Sequence, residues 1–383
     1  MNDSEGRRAI VIGGSLSGLF SATALRSIGW DVHVFEQSPN ELDSRGGGIV
    51  LQPDVVGAFR FGGVEMPEPA GVLSGDRIYL DRNDRIVARF YMPQTQTSWS
   101  LIYGAMRQAL PLDVIHPGER FARLEHRGKT VAAFFETGHV VEGDLLIGAD
   151  GGTSSVRAQV LPGTHPTYAG YVAWRGLVDE LDLPQAAADV LRDRFTFQQG
   201  DSHLMLIYLV PGEGGTTEVG RRRWNWVWYR PLSSDDLTEV LKDKDGRQRS
   251  TSLPPGSTKS TDIDRLKSAA DRLLAPILRL LIHATTEPFL QAIQDLSVET
   301  MVFDRTILLG DSAFIPRPHT AGSTAKAAAN AVALAQSLSS NENQIASALS
   351  RWELQQRRLG VAMSELGISL GDRIMNLSGV SNY

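Results

Sequence analysis

Ala9-Ile-Val-Ile-Gly-Gly-Ser-Leu-Ser-Gly18 is the stretch from which the fold of this chain can be read. Four apolar, mostly β-branched residues bounded by glycine make a short strand buried on both faces. After it, Leu19, Ala22, Leu25 and Ile28 fall on one helical stripe that Gly29 ends. Asp31-Val-His-Val-Phe-Glu36 then alternates as a second strand, which completes a right-handed βαβ unit. A strand–glycine loop–helix junction of this kind cradles a pyrophosphate. Glycines allow the tight turn and the close approach, and the first helical turn offers free N–H groups and the positive end of its dipole. Here Gly13, Ser15, Leu16, Ser17 and Gly18 form the loop, and Ser15 stands where the motif ordinarily has its middle glycine. Glu36, with Gln37 beside it, lies 18 residues beyond Gly18, near the roughly 20 expected of a carboxylate that accepts from ribose hydroxyls. The loop specifies a dinucleotide without saying which.

The rest of the composition narrows the class. The chain has 383 residues, enough for two or three packed units, and 42% hydrophobic against 21% charged residues is ordinary for a globular protein. A net charge of −6 argues against nucleic acid, whose phosphates need a basic face. The one basic run, Arg221-Arg222-Arg223, follows a glycine-rich stretch and reads as a solvated hairpin loop. With no cysteine, disulfides, thiolate metal sites and thiol nucleophiles are excluded, and the eight histidines are dispersed, so no metal site is expected. A polar N-terminus followed by a four-residue apolar run is neither a signal peptide nor a membrane span, and a cytoplasmic monomer or homodimer is expected.

Alternating strand material returns between residues 72 and 92, a helix is expected over 100–110, and a three-stranded meander over 121–141. From 168 to 299 the segments lengthen, with strands at 171–178, 194–199, 203–210 and 224–230, a Ser/Pro/Gly loop at 250–260 and a helix over 266–283. An alanine-rich helix at 323–338 precedes a last amphipathic helix with Ile345, Leu349, Trp352, Leu359, Met363, Leu366 and Leu370 on its core stripe. The fold class expected is α/β: a Rossmann-like dinucleotide domain from 1–71, 93–165 and 300–340, an inserted mixed β-sheet domain from 72–92 and 166–299, and a C-terminal helical segment over 341–383.

Two later segments speak to the cofactor. Leu145-Leu-Ile-Gly-Ala-Asp-Gly151 with Arg157, and Ile307-Leu-Leu-Gly-Asp311 with Pro318 and Gly322, follow the first loop in order. Together the three resemble the fingerprints of the para-hydroxybenzoate hydroxylase family of FAD-dependent aromatic monooxygenases, over nearly the whole chain. The resemblance implies that Asp311 binds the ribityl chain of FAD and that Pro318, Gly322 and Ser323 belong to the loop and helix start facing the flavin ring. It implies that Gly48 and Tyr103 lie against the cofactor, and that Asp150 serves both FAD and the pyridine nucleotide; the alternative from the residues alone is that Asp150 simply caps the helix beginning at Gly152–Ser155. The chain departs from the family at Phe314, Tyr103 and Asn330, which stand where histidine, arginine and an acid are common. Gly48-Ile-Val-Leu-Gln-Pro53, the Tyr171-Val-Ala-Trp-Arg-Gly176 block and Pro316-Arg-Pro-His319 resemble the family's dihydroxypyridine hydroxylases, though the Tyr-x-x-Trp-Arg-Gly block also occurs in salicylate-type members.

The activity implied is hydroxylation of a small electron-rich aromatic or N-heteroaromatic ring, with FAD bound, NADH or NADPH as reductant and O2 activated as a flavin C4a-hydroperoxide. The protein's own tasks are to exclude water, hold the ring and remove a phenolic or pyridinol proton. His203 is the first candidate for base or substrate anchor, and its alternative is a structural histidine; Tyr171, Tyr208 and His319 follow. Trp224, Trp226 and Trp228 share one strand face and read either as an aromatic floor under the ring or as sheet–helix core. Arg175 reads as structural or as a carboxylate anchor. A salicylate-type or natural-product ring hydroxylase, a flavin reductase of the same scaffold, a halogenase and a catalytically inactive flavin-binding protein are the alternatives.

Overall fold

The computed structural model describes residues 6–40, 42, 47–340 and 344–377, so parts of the expected C-terminal segment, 341–343 and 378–383, lie outside the described residues. Two large sheets organise the chain. The first has six strands in the order Val302–Phe303, Thr306–Leu308, Leu145–Gly148, Arg8–Ile12, Asp31–Glu36, Ile115–Pro117. All pairings are parallel except the edge hairpin of the first two. Ala9 to Ile12 pair with Leu145 to Gly148 on one side, and Arg8 to Ile12 with Asp31 to Phe35 on the other. The first strand is thus central, as its uninterrupted apolar run requires. The opening helix Leu16–Arg26 packs on it, and the alanine-rich helix Ser323–Ser339 packs on that helix within the same core. The meander at Phe121–Arg127, Thr130–Phe135 and Val140–Gly143 is a separate three-stranded sheet.

The second sheet has ten strands and is mixed. At its centre the antiparallel strands Thr167–Asp179, Arg223–Pro231, His203–Val210 and Arg194–Gly200 lie side by side, and the last pairs in parallel with Val72–Leu80. Register assigns the faces. Trp174, Met205, Ile207, Leu209, Trp224, Trp226 and Trp228 form one core with the helices Ser260–Leu273 and Pro276–Ala284. Tyr171, Ala173, Leu204, Tyr208, Val227 and Tyr229 form another cluster on the opposite face. The tryptophan stripe is therefore sheet–helix core: Trp226 Nε1 donates to Thr285 Oγ1 at 2.8 Å. No aromatic floor is made by it.

Three local expectations are corrected. The helix expected over 266–283 is two helices broken at Pro276, whose missing N–H suits a first helical position. Within the basic run Arg221 is exposed and Arg223 half-exposed, but Arg222 is buried, with Nε and Nη2 donating to the Glu180 carboxylate at 2.8 and 2.6 Å. The last helix, Ile345–Met375, buries Ile345, Leu349 and Trp352 as expected, but its second half buries Gln356, Gly360, Ser364, Gly367 and Gly371 while Leu366 is exposed.

Candidate active site and cofactor cleft

The dinucleotide loop has the geometry its glycines foretell. Gly13 sits at φ +109°, and a Cβ on it would lie 2.5 Å from the Ala149 carbonyl oxygen; one on Gly18 would lie 1.9 Å from that of Gly13. Ser15 is the extended N-cap of the opening helix and makes no capping bond, which leaves the first-turn N–H groups for a ligand. Leu16 is buried in the core and Ser17 is half-buried beside Gly310. At the tip of the second strand, Glu36 accepts from the Gly14 N–H through Oε2 and from the Ser38 N–H through Oε1, each at 2.8 Å, so its carboxylate is held against the loop. Gln37, next to it, is exposed.

A second element of the cleft is built around Asp311. Its Oδ1 accepts from Ser323 Oγ at 2.6 Å and from Lys326 Nζ at 3.0 Å, while the side chain stays 42% exposed. Lys326 is buried, which pulls its ammonium below the usual range, and it also donates to the Phe314 carbonyl. The pair ties the alanine-rich helix to the turn in front of it, where Pro318–Thr320 make one 3-10 turn and Ala321 takes φ +51°. Gly322 is the N-cap of that helix. Asn330 joins the same framework: its Oδ1 accepts from the Gly310 N–H at 3.3 Å, and its Nδ2 donates to Gln356 at 2.8 Å.

Asp150 has a different occupation. Its carboxylate accepts from Ser154 Oγ and from the N–H groups of Ser155 and Val156, so it caps the helix Ser155–Val160. Burial pushes its pKa up against those donors. Arg157 is buried and donates to the carbonyls of Thr164, Ser312 and Gly152, which locks this turn to the Asp311 segment. Tyr103 stacks on Trp99 at 4.6 Å and its hydroxyl receives the Leu42 N–H.

The residues present fit FAD on these observations: uncapped N–H groups at the first helix, a fixed carboxylate at Glu36, and a half-exposed carboxylate at Asp311. Glu36 and the helix start would hold the adenosine and pyrophosphate end, and Asp311 the ribityl chain.

Between this cleft and the second sheet lies a cluster of tyrosine, histidine and arginine side chains. The Tyr171 hydroxyl and His319 Nε2 are 2.8 Å apart, and the Tyr229 ring is 4.5 Å from the imidazole. Burial, aided by the nearby Arg317 charge, pushes His319 down to about 4; burial also raises the Tyr171 phenol far above its ordinary value. Both groups are therefore neutral at neutral pH. Arg317 stacks on Tyr171 and bonds to the Asp295 carboxylate with Nε and Nη2 and to Asp372 with Nη1, at 2.7 to 2.8 Å. It thereby joins the loop, the sheet and the last helix. Farther along the same face of the sheet stand Tyr208, Arg175 and Asn225, against the segment Gly47–Gly48. Asn225 Oδ1 accepts from the Gly48 N–H at 3.0 Å. A cavity of about 1440 Å³ opens beside them, lined by Gly47, Gly104, Leu177, Val210, Glu213 and Arg223 among others.

His203 is elsewhere. It lies on the tryptophan face, where its Nδ1 accepts from Trp228 Nε1 at 3.2 Å, and burial lowers its pKa to about 4. The sheet separates it from Tyr171, Tyr208 and His319. The sequence reading missed Asn225, Tyr229, Arg317 and Lys326. For Asn225 and Tyr229 a signal existed: by period two they fall on the face opposite the tryptophans.

Comparison with known proteins follows this geometry. A family profile described as FAD binding domain-like matches residues 168–295. The chain is 34% identical over 356 residues to the 2,6-dihydroxypyridine 3-monooxygenase of Paenarthrobacter nicotinovorans, covering 93% of this chain and 88% of that one. It is 27% identical to a 6-hydroxynicotinate 3-monooxygenase of Pseudomonas fluorescens, over 62% of this chain and 66% of the relative. Among solved structures, the 2,6-dihydroxypyridine-3-hydroxylase from Arthrobacter nicotinovorans superposes with a TM-score of 0.91 at 32% identity, covering 98% of this chain and 94% of that one. Klebsiella pneumoniae HpxO, complexed with FAD and uric acid, shares the fold with a TM-score of 0.76 at 24% identity, over 97% of this chain and 90% of its own.

Proposed function

The chain belongs to the FAD-dependent aromatic monooxygenases of the para-hydroxybenzoate hydroxylase type, and from that membership we propose that its substrate is a small, electron-rich hydroxylated pyridine ring. It is an oxidoreductase that binds FAD and consumes NAD(P)H and O2. When bound, FAD supplies the transfer of electrons from NAD(P)H and the activation of oxygen. The polypeptide supplies position, dryness and a proton path.

Glu36 and the uncapped turn at Ser15–Gly18 would hold one end of the cofactor, with Asp311, Pro318, Gly322 and Ser323 along the other. Tyr171 and His319 are the residues we assign to the substrate's proton. A neutral imidazole accepts at Nε2 from the Tyr171 hydroxyl, which in turn takes the proton of a ring hydroxyl; removing that proton makes the ring carbon more nucleophilic. Tyr208 and Tyr229 wall the same face, and burial keeps both phenols protonated. His203 receives no catalytic part, because a sheet stands between it and this face. The cofactor unit is read as 1–71, 93–165 and 300–340 and the substrate unit as 72–92 and 166–299. Among the described residues no helix is long and apolar enough to cross a membrane, in keeping with a cytoplasmic enzyme.

The observation that carries the substrate class is the likeness to a dihydroxypyridine monooxygenase along 93% of the chain. The test is a screen of NADH and NADPH oxidation stimulated by dihydroxypyridines, 6-hydroxynicotinate and salicylate, with the hydroxylated product identified by mass. A dihydroxypyridine should give the highest kcat/KM and incorporate one atom of labelled O2. Coupled turnover with salicylate and none with any pyridinol would overturn the reading.

A further inference from the structure

On the sheet face opposite the tryptophans the register sets Leu177 beside Asn225 and Asn225 beside Tyr208, while Arg175 sits beside Val227 one row along. Arg175 is half-buried and differs in its partners from the three buried arginines. Arg157, Arg222 and Arg317 each have their guanidinium bonded to carbonyls or carboxylates. Among the described residues Arg175 has no carboxylate within ion-pair distance, and its Nε is buried without a hydrogen-bond partner. Asn225 is fully buried; its Oδ1 takes the Gly48 N–H, yet among the described residues its Nδ2 donates to nothing. Both side chains lie against the chain at Gly47: a Cβ on Gly47 would lie 3.1 Å from Arg175 Nη1 and 3.3 Å from Asn225 Oδ1. The neighbouring Tyr208 and Tyr229 are kept neutral by burial, so neither phenol balances the charge. Buried donors are almost always satisfied, and a half-buried guanidinium with no carboxylate beside it is suited to a charge-assisted bond with an anionic oxygen.

We propose that Arg175 and the Asn225 amide bind an anionic oxygen of the ring substrate and thereby set which ring carbon is hydroxylated. This rests on the proposed hydroxypyridine reading and names the recognition element at that same site. Tyr171 and Arg175 are four residues apart on one strand, about 13 Å between Cα atoms, and both side chains rise from the same face. A separation of that length can be bridged by one aromatic ring whose two polar groups meet the two side chains. One oxygen then gives its proton to Tyr171 and His319, while the other sits as an oxyanion on Arg175 and Asn225. Held at two points, the ring cannot rotate in its plane, so a single carbon faces the cofactor.

The experiment titrates holoenzyme anaerobically with 2,6-dihydroxypyridine, following the perturbation of flavin absorbance, in wild type, Arg175→Met, Arg175→Lys and Asn225→Asp. Asn225→Asp keeps the acceptor for Gly48 but replaces the donor with a like charge. Charge-assisted hydrogen bonds of this kind support a loss of substrate affinity on the order of 10- to 100-fold in Arg175→Met and Asn225→Asp. Arg175→Lys should recover part of it, and FAD affinity, read by fluorescence of released flavin, should stay near wild type. Should Arg175→Met fold poorly, the lysine and aspartate variants carry the same comparison. Wild-type substrate affinity in the variants overturns the inference and leaves the hydroxypyridine reading intact, and so does selective loss of FAD. If wild type binds salicylate and no pyridinol, the substrate reading falls, and the same titration with salicylate then decides whether Arg175 holds an anionic oxygen.

Discussion

His319 and His203 are both histidines that burial pushes down to about 4, yet they stand on opposite faces of the second sheet, one at Tyr171 and the other at Trp228. Replacing His319 by Gln should lower kcat on the order of 100-fold at neutral pH, with recovery as the pH rises and the substrate loses its proton in bulk water. His203→Gln should leave kcat near wild type; the reverse pattern would sink the assignment. The shared depression also sets an acid stability limit. Above the ordinary histidine value, both folded and unfolded chains carry these groups neutral. As pH falls from about 6.5 towards 4, the unfolded chain takes up protons that the folded one refuses, so stability declines across that window. Each variant should lose its share of that slope in pH-dependent melts. At this scale Gly13, Gly18 and Glu36 were legible because a ligand-cradling turn tolerates few alternatives. His203 was misplaced for a physical reason: period two tells which side chains share a face, but which face meets the cofactor is decided by helices far along the chain.

At the scale of elements, the last helix shows how packing overrides a pattern. Its leucines at helical spacing suggest a continuous apolar stripe. In its second half, however, the helix lies so close to the loop 314–319 that only small residues fit. Gly360 is against the Phe314 ring and Gly367 against the Arg317 backbone, while a Cβ on Gly371 would lie 2.6 Å from the Tyr171 hydroxyl and 2.8 Å from Arg317 Nη1. Alanine normally stabilises a helix interior by about 1 kcal/mol relative to glycine. Gly371→Ala should do the opposite, because overpacking costs about 1–3 kcal/mol and the added methyl pushes on the Tyr171 hydroxyl that meets His319. Urea melts should show a lower midpoint, and kcat should fall with little change in FAD affinity. A stabilised variant with unchanged kcat would refute the close approach. Hydrophobic periodicity could not reveal this, since a glycine stripe reads as weak helix unless its neighbour is known. Periodicity shows the long strands 171–178, 203–210 and 224–230 and the two C-terminal helices. The short helices Pro53–Phe61, Gln185–Leu191 and Ser234–Val240 and the strand Phe289–Ser297 carry too few turns or too broken an alternation to stand out, and the break at Pro276 is marked only by the proline.

For the whole molecule, the cofactor cleft is assembled from parts about 300 residues apart, and no single sheet holds both halves of it. Glu36 bonds to Gly14 and Ser38 at the outer end of the parallel sheet, Asp311 is held by Ser323 and Lys326, and Arg317 ties the loop between them to Asp295 of the second sheet and Asp372 of the last helix. A ligand lying along such a cleft binds only when all these pieces are folded together, so it stabilises the native state by mass action. FAD at a thousandfold excess over its dissociation constant should add about 4 kcal/mol, seen as a rise in melting temperature when the stripped protein is reloaded. Glu36→Ala removes the acceptor of two backbone N–H groups and the carboxylate proposed to meet the ribose. It should shrink that FAD-dependent rise far more than it lowers the melting temperature of the stripped protein. An equal drop in both, with the FAD increment preserved, would make Glu36 a brace of the strand end and move the adenosine site off the first loop.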